Sequence, residues 1–252
     1  MVRTYDTFGV PYAESRERFV ETLDIIRKAW TEPSFAYRGK YFRFETVSVV
    51  PRPYQQPHPP IRIAANTADT FPMIGALGFP MFVSARHVSW DELAPMIRAY
   101  REAYAAAGHP GRGAVYVSAP TYLAATDARA AAEAEPSIMA FYRYQARLQA
   151  DSAARSGAVA AARAGRAERL RNMTFAEARA NHALVGTPEG VAARLTALER
   201  TLGLDGILTE LNCGGLIPHT QVLGALRLLC QEVMPRFARV SGGAIPDPGA
   251  GR

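Results

Sequence analysis

The residues best equipped for chemistry in this chain fall in three short stretches, each closing a run of apolar residues. Asn66-Thr67-Ala68-Asp69-Thr70 sets an amide, two hydroxyls and a carboxylate behind the run 61–65. Such groups ahead of a helix satisfy its unpaired first N–H groups, so a helix cap is their plainest task. Ser84-Ala85-Arg86 ends a second run with a hydroxyl and a guanidinium, for which a surface salt bridge is the plain reading. Glu210 and Asn212 end a third, just before Gly214-Gly215, where the missing side chains permit close backbone approach. Glu210 fits a pocket wall and a structural ion pair equally well. No neighbour of Cys213 lowers its pKa visibly, so it reads as a packed thiol. The histidines at 58, 87, 109, 182 and 219 show no metal-ligand spacing; His58 and His219 read as capping or surface residues, and no metal is expected. No catalytic acid or base is assigned.

These stretches need elements to hold them. Phe19, Leu23, Ile26 and Trp30 recur at helical spacing within 13–30, which predicts an amphipathic helix with that face buried. Aromatic and β-branched residues around Arg38-Gly39 predict a hairpin, followed by an extended Pro-rich arm. From residue 60 short buried runs alternate with helices. Strands are predicted at 61–65, 80–85, 114–125 and 205–215. Between them, one helix stops at Gly78, another starts at Ser89 with Glu92 completing a capping box, and a third starts at Thr187-Pro188. A long Ala- and Arg-rich helical stretch fills roughly 127–182, and a helix opening at His219 closes the pattern. Alternation of this kind means α/β architecture, a parallel sheet with right-handed crossovers. Four βα units fall short of the eight that a closed barrel requires.

Composition narrows the function classes. Apolar residues make up 48% and charged residues 21%, as in ordinary globular domains. No apolar run approaches the roughly 20 residues of a membrane span, and the N-terminus lacks a secretory apolar stretch. Two cysteines without CxxC spacing suit reduced thiols in the cytoplasm. The net charge of +6 comes almost wholly from scattered arginines, and the densest run, 163–171, is interrupted by Glu168. A solvated helix face explains it better than nucleic-acid binding, for which no zinc-finger or RNA-binding motif is present.

Several stretches carry a family likeness: "FGVPYAESRERFVETLDIIRKAW", "GKYFRFETVSVVPRPYQQPHPPIRIAA", "LGFPMF", "LVGTPEGVAARL" and "GGLIPHTQVLGALRLLCQEVMPRF". In this order, from about residue 7 to 239, the chain resembles the bacterial luciferase-like, flavin-dependent monooxygenases. The resemblance implies a (β/α)8 TIM-barrel-like fold. The four strands then correspond to strands five to eight, an incomplete barrel over 1–240 with a disordered Gly/Pro-rich tail over 241–252. It implies a cytoplasmic oxidoreductase that uses reduced FMN, supplied by a separate flavin reductase, and O2 to oxygenate a small organic substrate. A homodimer also fits the family. Under the resemblance Asn66, Thr67 and Thr70 align with polar positions that hold the flavin phosphate, although Asp69 would repel a dianion unless turned away. Ser84 and Arg86 fall where the family places part of the flavin-ring pocket, and Arg86 could stabilise anionic reduced flavin. Two alternatives remain open: hydride transfer with the deazaflavin F420, and a catalytically inactive partial barrel acting as a partner subunit.

Overall fold

The computed structural model describes residues 2–65, 67–154 and 160–238. The tail predicted from 241 and Asn66 lie outside the described residues. The chain divides into two compact units, Met1–Ile61 with Ala146–Arg169, and Arg62–Gln145 with Leu170–Arg252.

In the first unit, helix α1 (Val2–Thr7) and a 3-10 turn (Tyr12–Glu14) precede helix α2 (Ser15–Thr31). Strands β1 (Phe35–Arg38) and β2 (Arg43–Val47) form the predicted antiparallel hairpin. Its tip is tied to α2 by one carboxylate. Glu21 accepts the backbone N–H groups of Lys40, Tyr41 and Phe42 at 2.7 to 3.1 Å, and these bonds hold its pKa below the usual carboxylate value although desolvation opposes them. The helix prediction holds, but its buried face does not. Leu23 is buried, whereas Phe19 and Ile26 stay 36% exposed and Trp30 is half-buried. Periodicity reports which face would profit from cover, not how much cover the fold supplies.

The second unit is built on a parallel sheet: β3 (Ile63–Ala65), β4 (Met81–Ser84), β5 (Val115–Leu123), β6 (Leu184–Gly186) and β7 (Gly206–Glu210). β3 pairs with β4 and β4 with β5; β5 then pairs with β7 over 116–120 and with β6 over 121–123. This corrects the expected four strands to five. β6 has only three residues, too few for a periodic signal, and its identity as a strand comes from the long β5 beside it. The last predicted strand also ends earlier, at Glu210, and 211–215 form a turn.

The helices follow their terminal signals closely. α3 (Thr70–Leu77) stops at Gly78, whose φ of 76° suits a residue without a Cβ. α4 (Trp90–Ala106) starts with the complete Ser89/Glu92 capping box. The long helical stretch is three helices, α5 (Asp127–Ala153), α6 (Ala160–Asn172) and α7 (Phe175–Asn181). α8 (Pro188–Leu202) is capped by Thr187, and α9 (His219–Leu228) continues into a π turn over Leu229–Val233. α3 and α4 pack closely at Gly75, where a Cβ would lie 2.2 Å from the Tyr100 carbonyl oxygen.

Successive residues of a strand face opposite sides of a sheet. One face carries Ile63, Ala65, Met81, Val83, Val115, Val117 and Ala119, each exposed by 6% or less. The other carries Ala64, Phe82, Ser84, Tyr116, Ser118, Leu208 and Glu210, in register across the strand pairs. At the N-terminal end of that face Arg62 lies over the Tyr116 ring, 4.2 Å from its centroid. Among the described residues β3 and β7 each pair on one edge only, and no closed barrel forms.

Candidate functional site

The C-terminal ends of β4, β5 and β7 come together because the three strands are parallel and adjacent. In register, Ser84 stands beside Ser118, and Glu210 beside Pro120. Past the end of β4 the Arg86 side chain crosses to the last strand. Its Nη1 donates to Glu210 Oε2 at 3.0 Å and its Nε to Ser84 Oγ at 2.9 Å. The second carboxylate oxygen of Glu210 accepts from Ser118 Oγ at 2.5 Å. The Phe141 ring of α5 flanks the guanidinium, its centroid 5.5 Å from Arg86 Cζ. The two side chains remain 31% and 22% accessible. Two residues that the sequence left open as pocket wall or ion pair are thus partners of each other, 124 positions apart.

Cys213, Tyr142 and His182, all buried, lie near this cluster. Cys213 is buried, and desolvation, with a smaller push from Glu210, raises its thiol pKa to about 12. That agrees with a packed, protonated thiol. Tyr142 of α5 is fully buried, and desolvation keeps its hydroxyl pKa well above the usual phenol value. Its hydroxyl has no hydrogen-bond partner among the described residues. His182 Nδ1 donates to the Ala85 carbonyl at 2.8 Å and so holds the strand end that precedes Arg86.

One buried serine sets the loop after β7. Ser137 Oγ donates to the Cys213 carbonyl at 2.8 Å and accepts the Leu216 N–H at 3.0 Å. Gly214 has φ 99° and packs so tightly that a Cβ would lie 1.8 Å from the Ser137 carbonyl oxygen. Asn212 does not reach into the site. It closes its own loop through Ile217, accepting its N–H at 2.9 Å and donating to its carbonyl at 3.2 Å. Neither Ser118 nor Ser137 was singled out from the sequence. Ser118 lies within a strand and Ser137 within a helix, and only strand register and helix packing reveal their partners.

The loop after β3 lies at the same end of the sheet, one strand from Ser84. Thr70 Oγ1 donates to the Thr67 carbonyl at 2.6 Å, and the Thr70 N–H bonds the same carbonyl at 2.9 Å. The Thr70 hydroxyl therefore works inside its own turn, while the Thr67 side chain is exposed. Asp69 sits at the N-cap without a side-chain capping bond. Among the described residues no group of three or more His, Cys, Asp or Glu could hold a metal ion, and no helix is long and apolar enough to cross a membrane.

The family model described as luciferase-like monooxygenase matches residues 3–205. The chain is 33% identical over 60 residues to the FMNH2-dependent dimethylsulfone monooxygenase of Pseudomonas putida, covering 23% of this chain and 16% of that protein. It is 30% identical over 84 residues to the F420-dependent hydroxymycolic acid dehydrogenase of Mycobacterium tuberculosis, covering 33% of this chain and 22% of that protein. The crystal structure of the monooxygenase RslO1 from Streptomyces bottropensis superposes with a TM-score of 0.68 at 25% identity, over 94% of this chain and 66% of that one. The matched stretches thus span less than a quarter of these two curated relatives and just under two thirds of RslO1. The α/β fold and its parallel sheet match those of luciferase-like TIM-barrel proteins.

Proposed function

The chain belongs to the luciferase-like monooxygenase family, and from that membership we propose that it forms the strand-end site of a cytoplasmic, flavin-dependent oxidoreductase acting on a small organic substrate. The observation that carries this reading is the polar cluster Ser84, Arg86, Ser118 and Glu210 at the C-terminal ends of parallel strands, where barrel enzymes build their sites. Reduced FMN, delivered by a separate reductase, is the cofactor of this proposal, and when bound it supplies the electrons for oxygenation by O2. The residues fit that group in a defined way. Thr67 presents its exposed side chain at the start of α3 and would hold the phosphate with Asn66, while Thr70 shapes the turn. Ser84 and Arg86 would border the ring. Arg86 already has a carboxylate partner, so its part is to donate hydrogen bonds rather than to supply a net positive charge. Phe141 and the buried Cys213 would exclude water.

A second reading, hydride transfer with F420, is favoured by the M. tuberculosis relative. Parallel titrations of the chain with FMN and F420, followed by cofactor fluorescence, separate the two. Replacing Asn66 and Thr67 together by Ala is expected to weaken FMN binding by about 1–3 kcal/mol. Unchanged affinity in the double variant would return the loop to helix capping alone.

A further inference from the structure

We propose that this site selects an uncharged, largely apolar substrate carrying one hydrogen-bonding oxygen, and that Glu210 sets the choice by neutralising Arg86. The inference rests on the reading of the strand ends as the site of a flavin-dependent oxidoreductase and adds the chemical class of substrate that would meet Arg86 beside the ring.

A lone arginine at the end of a strand would recruit carboxylates, sulfonates or phosphates through its bidentate fork. Here one arm of that fork is already engaged. Glu210 holds Nη1 at 3.0 Å, and Ser118 locks the other carboxylate oxygen at 2.5 Å, so the acid cannot swing aside without breaking two bonds. An incoming anion would face that fixed carboxylate, and an incoming cation would face the guanidinium. A neutral oxygen meets neither penalty. The guanidinium has five N–H groups, of which Nε–H and one Nη1–H are engaged here, so donors remain for a ketone, ether or phenol oxygen. Access is open on this side, since Arg86 and Glu210 keep 31% and 22% of their surface. The surroundings suit an apolar body: Phe141 flanks the guanidinium, and Leu208 is 50% exposed on the same sheet face as Glu210. Cys213 and Tyr142 are both held protonated and add no charge.

The test is calorimetric titration of the chain, with and without saturating FMN, using 2-naphthol, 2-naphthalenesulfonate and 2-naphthylmethylammonium. The unaltered protein should bind 2-naphthol at least about tenfold tighter than either ion. Glu210→Gln frees the guanidinium and should bring the sulfonate to at least the affinity of 2-naphthol. Arg86→Gln leaves the carboxylate unpaired and should do the same for the ammonium probe, so the test survives if circular dichroism shows one variant unfolded. Preference for an ion in the unaltered protein, no binding of 2-naphthol, or an unchanged order of probes in the folded variants would overturn the proposal. FMN affinity, read in the same series, separates this failure from failure of the cofactor assignment. If FMN binds but the probes are not discriminated, the substrate inference falls alone. If the probes are discriminated but FMN does not bind, the cofactor assignment falls instead.

Discussion

The two faces of the parallel sheet use the same strands for different purposes. On one, Met81, Val83, Val115 and Val117 are no more than 1% exposed, with α3 lying against β3 and β4. On the other, the residues between them in sequence are Phe82, Ser84, Tyr116 and Ser118, and the row ends in the Arg86–Glu210 pair. The first face removes apolar area from water, at roughly 25 cal/mol per Å2, and so contributes most to stability. The second carries polar groups that bond one another, with Ser84, Arg86 and Glu210 partly exposed and Ser118 buried. A one-residue slip in register would exchange the two sets, so the pattern that buries the core also aims the site.

Truncation at adjacent positions tests this division most severely. Met81→Ala should cost about 2–5 kcal/mol in urea unfolding, and Phe82→Ala less than half of that, because Met81 is fully buried and Phe82 is not. Equal losses would mean that both faces are core.

Gly214→Ala asks whether the loop behind the polar face is as tightly built as the helix-covered face. The new Cβ would meet the Ser137 carbonyl at 1.8 Å on a backbone with φ 99°. A loss of about 2–3 kcal/mol is expected. A neutral result would mean that the β7–α9 loop moves freely away from α5.

A smaller effect should follow from Ser118→Ala, which strips one bond from Glu210 while leaving the Arg86 contact. Roughly 1–2 kcal/mol of stability should be lost. If the loss instead approaches that of Met81→Ala, Ser118 belongs to the core rather than to the site.

The subtlest contrast is in alkali. The folded-state pKa of Cys213 is raised from 9.0 to about 12, and that of Tyr100 from 10.0 to about 12, chiefly by burial. Above pH 9 the unfolded thiol loses its proton while the folded one keeps it, so the stability from the buried neutral form is present below that pH and declines as pH rises. A shallow alkaline limb in a pH series of unfolding midpoints is expected, and Cys213→Ala should flatten its first part. Consistent with this, native alkylation read by mass spectrometry should modify exposed Cys230 and spare Cys213.

How much of this could be read from the chain depends on the range of each interaction. The Ser89/Glu92 capping box, the Gly78 stop and the Thr187-Pro188 start are local patterns, and the helices begin and end there. The runs at 80–85 and 114–125 hold β4 and β5 because buried parallel strands are continuously apolar. Three features were less legible. β6 is too short to show a period, the apolar face of α2 has less cover than its pattern invites, and the loop after β3 reads as a cap and as an anion contact at once.

By itself the sequence determined four of the five strands of the parallel sheet, the stops and starts of the helices with local caps, and that strand ends carry polar residues, because periodicity and capping are set within a few positions. Only the tertiary structure decided that Arg86 meets Glu210 and that Ser118 locks it, because such contacts depend on the register of β4, β5 and β7, which no neighbouring residue encodes.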